Sequence, residues 1–159
     1  MNILTDEQAA ARQLQLPAGG LLSGVAPEFV EELQANGTFV EYNQQVIVPA
    51  GEPLDYVLCI IDGEARLSRT NENYGKSRLG SLRSGQWFGE VNLFTRVPPR
   101  EELFAAGPVI VWTIPTDTLR DLFFDHQAAV QLLYNIGLSL AQRLAVQTQG
   151  SVEVTTANA

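Results

Sequence analysis

Residues 88–105 read FGEVNLFTRVPPREELFA, and they bring together residue types that handle an anion. After the apolar run VNLF, Arg100 carries a guanidinium able to make charge-assisted, bidentate contacts to a phosphate. Two carboxylates, Glu101 and Glu102, follow that arginine at once. A carboxylate about 4 Å from a phosphate costs roughly 4 kcal/mol at an effective dielectric of ~20, or about three decades of affinity. The stretch therefore pairs an anion pocket with groups that would repel an anion.

Other chemistries lack their residues. His126 is the only histidine, and a β-roll metal enzyme needs several imidazole and carboxylate ligands facing one another. Its expected place is the first turn of a helix, in a solvated or capping role. No Gly-rich phosphate loop with a following lysine occurs, and no serine or cysteine has a base other than that remote histidine. No catalytic residue, metal site or cofactor is assigned, and the chain reads as a non-enzyme. Cys59, the single cysteine, lies within YVLCII as a small core residue, which suits a reducing compartment.

Ten Lys and Arg against eighteen Asp and Glu give a net charge of -8 in 159 residues, a field that repels nucleic acids and anionic membranes. Any phosphate must be held locally. The N-terminus MNILTDEQAAARQL lacks the basic start and apolar centre of a signal peptide, so a cytoplasmic location is the expectation. A chain of this size buries roughly 70% of its unfolded surface, enough for one domain without disulfides.

The elements that must position the anion-handling stretch are a β-rich body between helices. Residues 1–36 read as helical, with Thr5 and Gln8 as a capping box and Pro27 opening FVEELQANG. From 37 to 115, TFVEY, QVIV, DYVLCII, EARLSR, SRLGSL, LFAA and VIVWTI are short strands broken by Gly and Pro, the texture of an antiparallel sandwich or roll. Residues 116–149 return to helical period, with Thr116 capping DTLRDLFF and Asp125 capping a long helix closed by Gly150. Residues 150–159 are expected to be a disordered polar tail. The long helix carries two apolar stripes, one of Ala129, Leu133, Ile136, Leu140 and Leu144, the other of Val130, Tyr134, Leu138, Ala141 and Ala145. One packs on the roll and the other calls for a partner, so a homodimer through this helix is expected.

This order, with three motifs, resembles the cyclic-nucleotide-binding domain family over about residues 20–149. The motifs are Gly51-Glu-Pro-Leu-Asp55 followed by Gly63, the segment GQWFGE from Gly85 to Glu90, and Arg100 ten residues after Glu90, at the spacing of bacterial catabolite activators. The resemblance implies a mainly β fold with flanking helices: a double-stranded β-helix or jelly roll with N-terminal helices and a long C-terminal helix. It makes residues 88–105 a phosphate-binding cassette, with Gly89 allowing close backbone approach, Glu90 meeting a ribose 2'-hydroxyl, Val91 opening the cassette helix and Arg100 meeting the phosphate. It places Glu101 where the family's Ser or Thr touches the ligand, and Gln147 and Thr148 against the base.

The function implied is a non-catalytic regulatory sensor of cyclic AMP, cyclic GMP or a related small anion. The departures are Asn92 in place of a small residue, and Glu101 and Glu102 in place of a hydroxyl residue and alanine. By strand parity Glu102 shares a face with Arg100 and neutralises it, which leads to the alternative, a ligand-free scaffold domain held by an internal ion-pair network. Arg96 is read as an exposed loop residue. Nothing after Gly150 reads as a helix-turn-helix, so a stand-alone domain is expected.

Overall fold

The computed structural model describes the backbone of residues 1–157 and side chains through Thr148. In chain order the elements are β1 (Asn2–Ile3), α1 (Asp6–Ala11), a 3-10 turn at Gly20–Leu22, α2 (Pro27–Ala35), β2 (Thr38–Tyr42), β3 (Gln45–Val48), β4 (Tyr56–Asp62), β5 (Glu64–Asn71), β6 (Gly75–Arg83) and β7 (Trp87–Phe88). A second 3-10 turn at Glu90–Leu93 leads to β8 (Glu101–Ala105), β9 (Val109–Pro115), α3 (Thr116–Asp125) and α4 (Ala129–Ala157).

Two antiparallel sheets form the roll, ordered β1-β2-β9-β4-β7 and β3-β8-β5-β6. The runs YVLCII and VIVWTI are apolar but for Tyr56 and Thr113 because the first sheet is covered on both faces. Leu58, Ile60, Val109 and Val111 point into the roll with Leu103 and Ala105 of the second sheet. Their neighbours Val57, Cys59, Ile110, Trp112 and Ile114 point outward, under Leu33, Leu119, Leu132 and Ile136 of the helices. Cys59 is wholly buried, and burial pushes its thiol from 9.0 up to about 12. It remains a protonated core residue at neutral pH.

Several expectations for the helices need correction. The capping box of Thr5 and Gln8 is present and Pro27 opens α2, but residues 1–36 are not helical throughout. Asn2 and Ile3 pair with Glu41 and Val40 of β2. Gln13, at φ 54°, has a left-handed backbone conformation beyond the end of α1. Thr116 is not a cap: Pro115 holds that position, and the buried Thr116 hydroxyl makes no hydrogen bond. Asp125 ends α3 rather than starting α4, and His126 is the C-cap, in extended conformation. Its imidazole sits 3.7 Å from the Glu32 carboxylate and packs near the Phe29 ring, so it is not in the first turn of a helix.

Helix α4 buries Ala129, Leu132 and Ile136, while Val130, Tyr134, Leu138 and Leu144 are exposed. Leu144 is therefore not part of the buried stripe expected for it. The helix also passes through Gly150 to Ala157, since glycine weakens a helix by about 1 kcal/mol without obstructing it as proline would. Of the tail expected to be disordered, 150–157 have helical backbone; 158 and 159 lie outside the described residues. Among the described residues no helix is long and apolar enough to cross a membrane.

Candidate functional site

Beside the Glu90–Leu93 turn lies a cleft of about 430 Å³. The turn begins where β7 ends, at Gly89, whose φ of 89° is a left-handed conformation. A Cβ there would stand 2.9 Å from both Tyr56 O and Leu54 Cδ2, so the close backbone approach is to β4 and its preceding loop. The Asn92 amide donates from Nδ2 to Leu54 O at 3.0 Å, and the Arg120 guanidinium of α3 donates to Leu93 O at 3.2 Å. Further on, Gly51 N donates to Pro99 O at 2.8 Å and fixes the chain just before Arg100. Asn92 thus anchors the turn from beneath, as a longer side chain than the small residue expected at that position.

The cleft is bordered by Gly89, Glu90, Val91, Asn92, Arg100 and Glu101. Apart from Asn92 these are residues expected to meet a ligand; Gln147 and Thr148, expected against the base, are not among them. Leu67 of β5, Leu79 and Leu82 of β6, and Trp87 add an apolar wall. Thr148 is exposed on α4 and does not border the cleft, five residues and about 7.5 Å of helix rise beyond Arg143, the last that does. Gln147 and Arg96 are likewise exposed and outside it.

Glu90 is buried, and its carboxylate accepts a hydrogen bond from the Arg143 guanidinium of α4. Arg143 had no role in the sequence reading. Its available signal was local: it is the single basic residue of α4, set among apolar and neutral side chains.

The two glutamates separate by strand parity. Leu103 and Ala105 point into the roll, so Glu101 shares their face and Glu102 the opposite one. Glu101 stands directly across from Arg69 in the β5–β8 register and forms an ion pair with it. Glu102 pairs with Lys76 of β6, whose ammonium also lies 6.0 Å from the Phe104 ring centroid. The expected neutralisation of Arg100 by Glu102 is therefore corrected. Arg100 makes no ion pair among the described residues, because cross-strand cations on β5 and β6 take both carboxylates. Arg69 and Lys76 were missed because their partners are set by sheet register, which no local motif reveals. No cluster of metal-ligating side chains occurs among the described residues.

The fold has known counterparts. The fold is similar to the catabolite activator protein of Thermus thermophilus, with a TM-score of 0.77 and 21% identity over 86% of this chain and 63% of that one. It is also similar to a cyclic nucleotide-binding domain from Methylobacillus flagellatus, with a TM-score of 0.67 and 19% identity over 92% and 79% of the two chains. A third likeness is to a c-di-GMP-responsive global regulator from Xanthomonas campestris, at 0.66 and 22% over 82% and 65%. The chain thus spans less than two thirds of two of these three proteins. No curated protein matches it by sequence. At such identities the structures establish the fold, a mainly antiparallel roll with flanking helices of the catabolite activator type. The sequence profile of the cyclic nucleotide-binding domain family, however, matches residues 42–126, more than half of the chain and every cleft residue except Arg143, and the chain therefore belongs to that family.

Proposed function

We propose that the chain is a regulatory module whose cleft takes a cyclic nucleotide or a closely related small monoanion, such as cyclic AMP or cyclic GMP. The family is generally regulatory rather than catalytic. One observation carries the reading: in a chain of net charge -8, Arg100 borders this cleft with no ion-pair partner among the described residues, because Arg143 takes the Glu90 carboxylate and Arg69, outside the cleft, takes that of Glu101. One positive charge is left in excess, that of Arg100, which complements the single charge of a cyclic phosphodiester. The apolar wall of Leu67, Leu79 and Leu82 suits a base or sugar face.

Thermal unfolding with each nucleotide tests this. Ligand at ten times its Kd is expected to add about 1.4 kcal/mol of stability, and Arg100→Ala is expected to remove the gain. Absence of any shift at millimolar nucleotide, or a shift that survives in Arg100→Ala, would overturn the reading.

The module is dimeric in this proposal. Val130, Tyr134, Leu138, Leu144 and Val146 leave a large apolar area on α4 exposed, beyond the scattered single residues normal for a monomer. Light scattering is expected to give a dimer at micromolar concentration, and Leu138→Glu, which sets a charge in that face, a monomer. A monomeric wild type would sink the assembly claim and leave the cleft reading intact.

A further inference from the structure

Resting on the ligand reading above, we infer that Arg69 is a positioning residue for that site: it holds the Glu101 carboxylate away from the bound anion and so keeps Arg100 available to it. Glu101 is the one glutamate of the pair that borders the cleft and points to the inner face of β8. Left alone there, a carboxylate would oppose an anion and compete for the neighbouring Arg100. The β5–β8 register places Arg69 directly opposite, on the same face, where the two side chains pair. Arg69 itself does not border the cleft, so it acts through Glu101. Its side chain is 48% exposed and Glu101 only 25%, so loss of the arginine leaves the less solvated partner uncompensated at the cleft. The Glu102–Lys76 pair lies on the outer face and serves as an internal control with similar residues and no access to the ligand.

The measurement is calorimetric titration of the whole chain with cyclic AMP and cyclic GMP, in wild type, Arg69→Ala, Arg69→Lys, Glu101→Gln, Arg69→Ala with Glu101→Gln, and Lys76→Ala. Arg69→Ala is expected to weaken binding at least about tenfold through the uncompensated charge at the cleft. Arg69→Lys and Lys76→Ala are expected to stay within about threefold of wild type. Glu101→Gln is expected to bind as tightly as wild type or tighter. The deciding result is rescue: in the double variant, affinity should return to within about threefold of Glu101→Gln, because without the carboxylate the arginine has nothing to restrain. A double variant as weak as Arg69→Ala would overturn the inference and make Arg69 a direct ligand or a strand-stabilising residue. An Arg69→Ala that binds like wild type would also overturn it. Failure of wild type itself to bind either nucleotide at millimolar concentration would overturn the site reading and this inference together, an outcome distinct from the other two.

Discussion

Trp112→Ala is expected to remove about 3–5 kcal/mol of stability. The indole is fully buried on the outward face of β9, among the side chains that join the first sheet to the helices. Its loss would leave a cavity bordered by elements that cannot easily collapse, because α2 and β2 meet directly behind it at Gly37. A Cβ on Gly37 would lie 2.3 Å from Trp112 Cε2, so the ring is seated against bare backbone. Two directed contacts are lost with the ring: the Nε1–H donation to Gln34 O at 3.2 Å, and the edge-on packing against Trp87 at 5.7 Å and 69°. The hydrogen bond and the aromatic pair each contribute about 1 kcal/mol within that total. Urea unfolding should show a lower midpoint at unchanged slope. A loss below about 1.5 kcal/mol would mean that the sheet and α2 close over the gap, contradicting the rigid seat at Gly37.

The strands were legible in the sequence because the pattern that marks them is physical. YVLCII and VIVWTI have no polar alternation since each supplies side chains both to the roll and to the layer beneath the helices. The boundaries of the last two helices were less legible. An aspartate preceding an apolar periodic run is a proper N-cap signal, yet at Asp125 the chain is still finishing α3, and the bend falls at His126 and the two residues after it. Capping preferences of single residues cannot decide between the end of one helix and the start of the next when both are amphipathic.

The site divides in the same way. Gly89, Glu90 and Arg100 belong to one continuous segment, singled out by its resemblance to a cassette, and all three border the cleft. The charges that decide what the cleft can hold come from elsewhere. Arg143 lies 53 residues beyond Glu90, and Arg69 lies 32 residues before Glu101. Parity along residues 100–102 implied that Glu102 would face Arg100, but the strand begins only at Glu101, so that parity does not extend back to the arginine. The cation reaching Glu102 comes from β6, where a register shift between Leu67 and Ser68 of β5 alters which residues of β6 stand opposite. A single slip of that kind exchanges the faces of a whole strand and is invisible in a linear reading.

The pair between Glu90 and Arg143 makes the second large prediction, which rests on an asymmetry. The Glu90 side chain is 8% exposed, whereas that of Arg143 is 57% exposed. Removing the arginine strands a carboxylate that water can barely reach; removing the charge on Glu90 leaves a guanidinium that water already solvates. Arg143→Ala is therefore expected to cost about 2–3 kcal/mol, at or just below the lower end of the range for breaking a fully buried pair because one partner is half in solvent, and Glu90→Gln less than about 1 kcal/mol. Urea unfolding at fixed protein concentration measures both. Equal losses would show that the carboxylate is no more dependent on its partner than the arginine is, and would refute a buried charge as the source of the effect. The double variant sharpens the test: with Gln at position 90, Arg143→Ala should cost no more than its lost packing. Because Arg143 projects from α4, whose apolar face is exposed, the same experiment measures how strongly the cleft is tied to that helix. A ligand hydroxyl that takes the Glu90 carboxylate from Arg143 would loosen α4 from the cassette by less than Arg143→Ala costs, because the hydroxyl keeps the buried carboxylate hydrogen-bonded while the freed guanidinium is solvated.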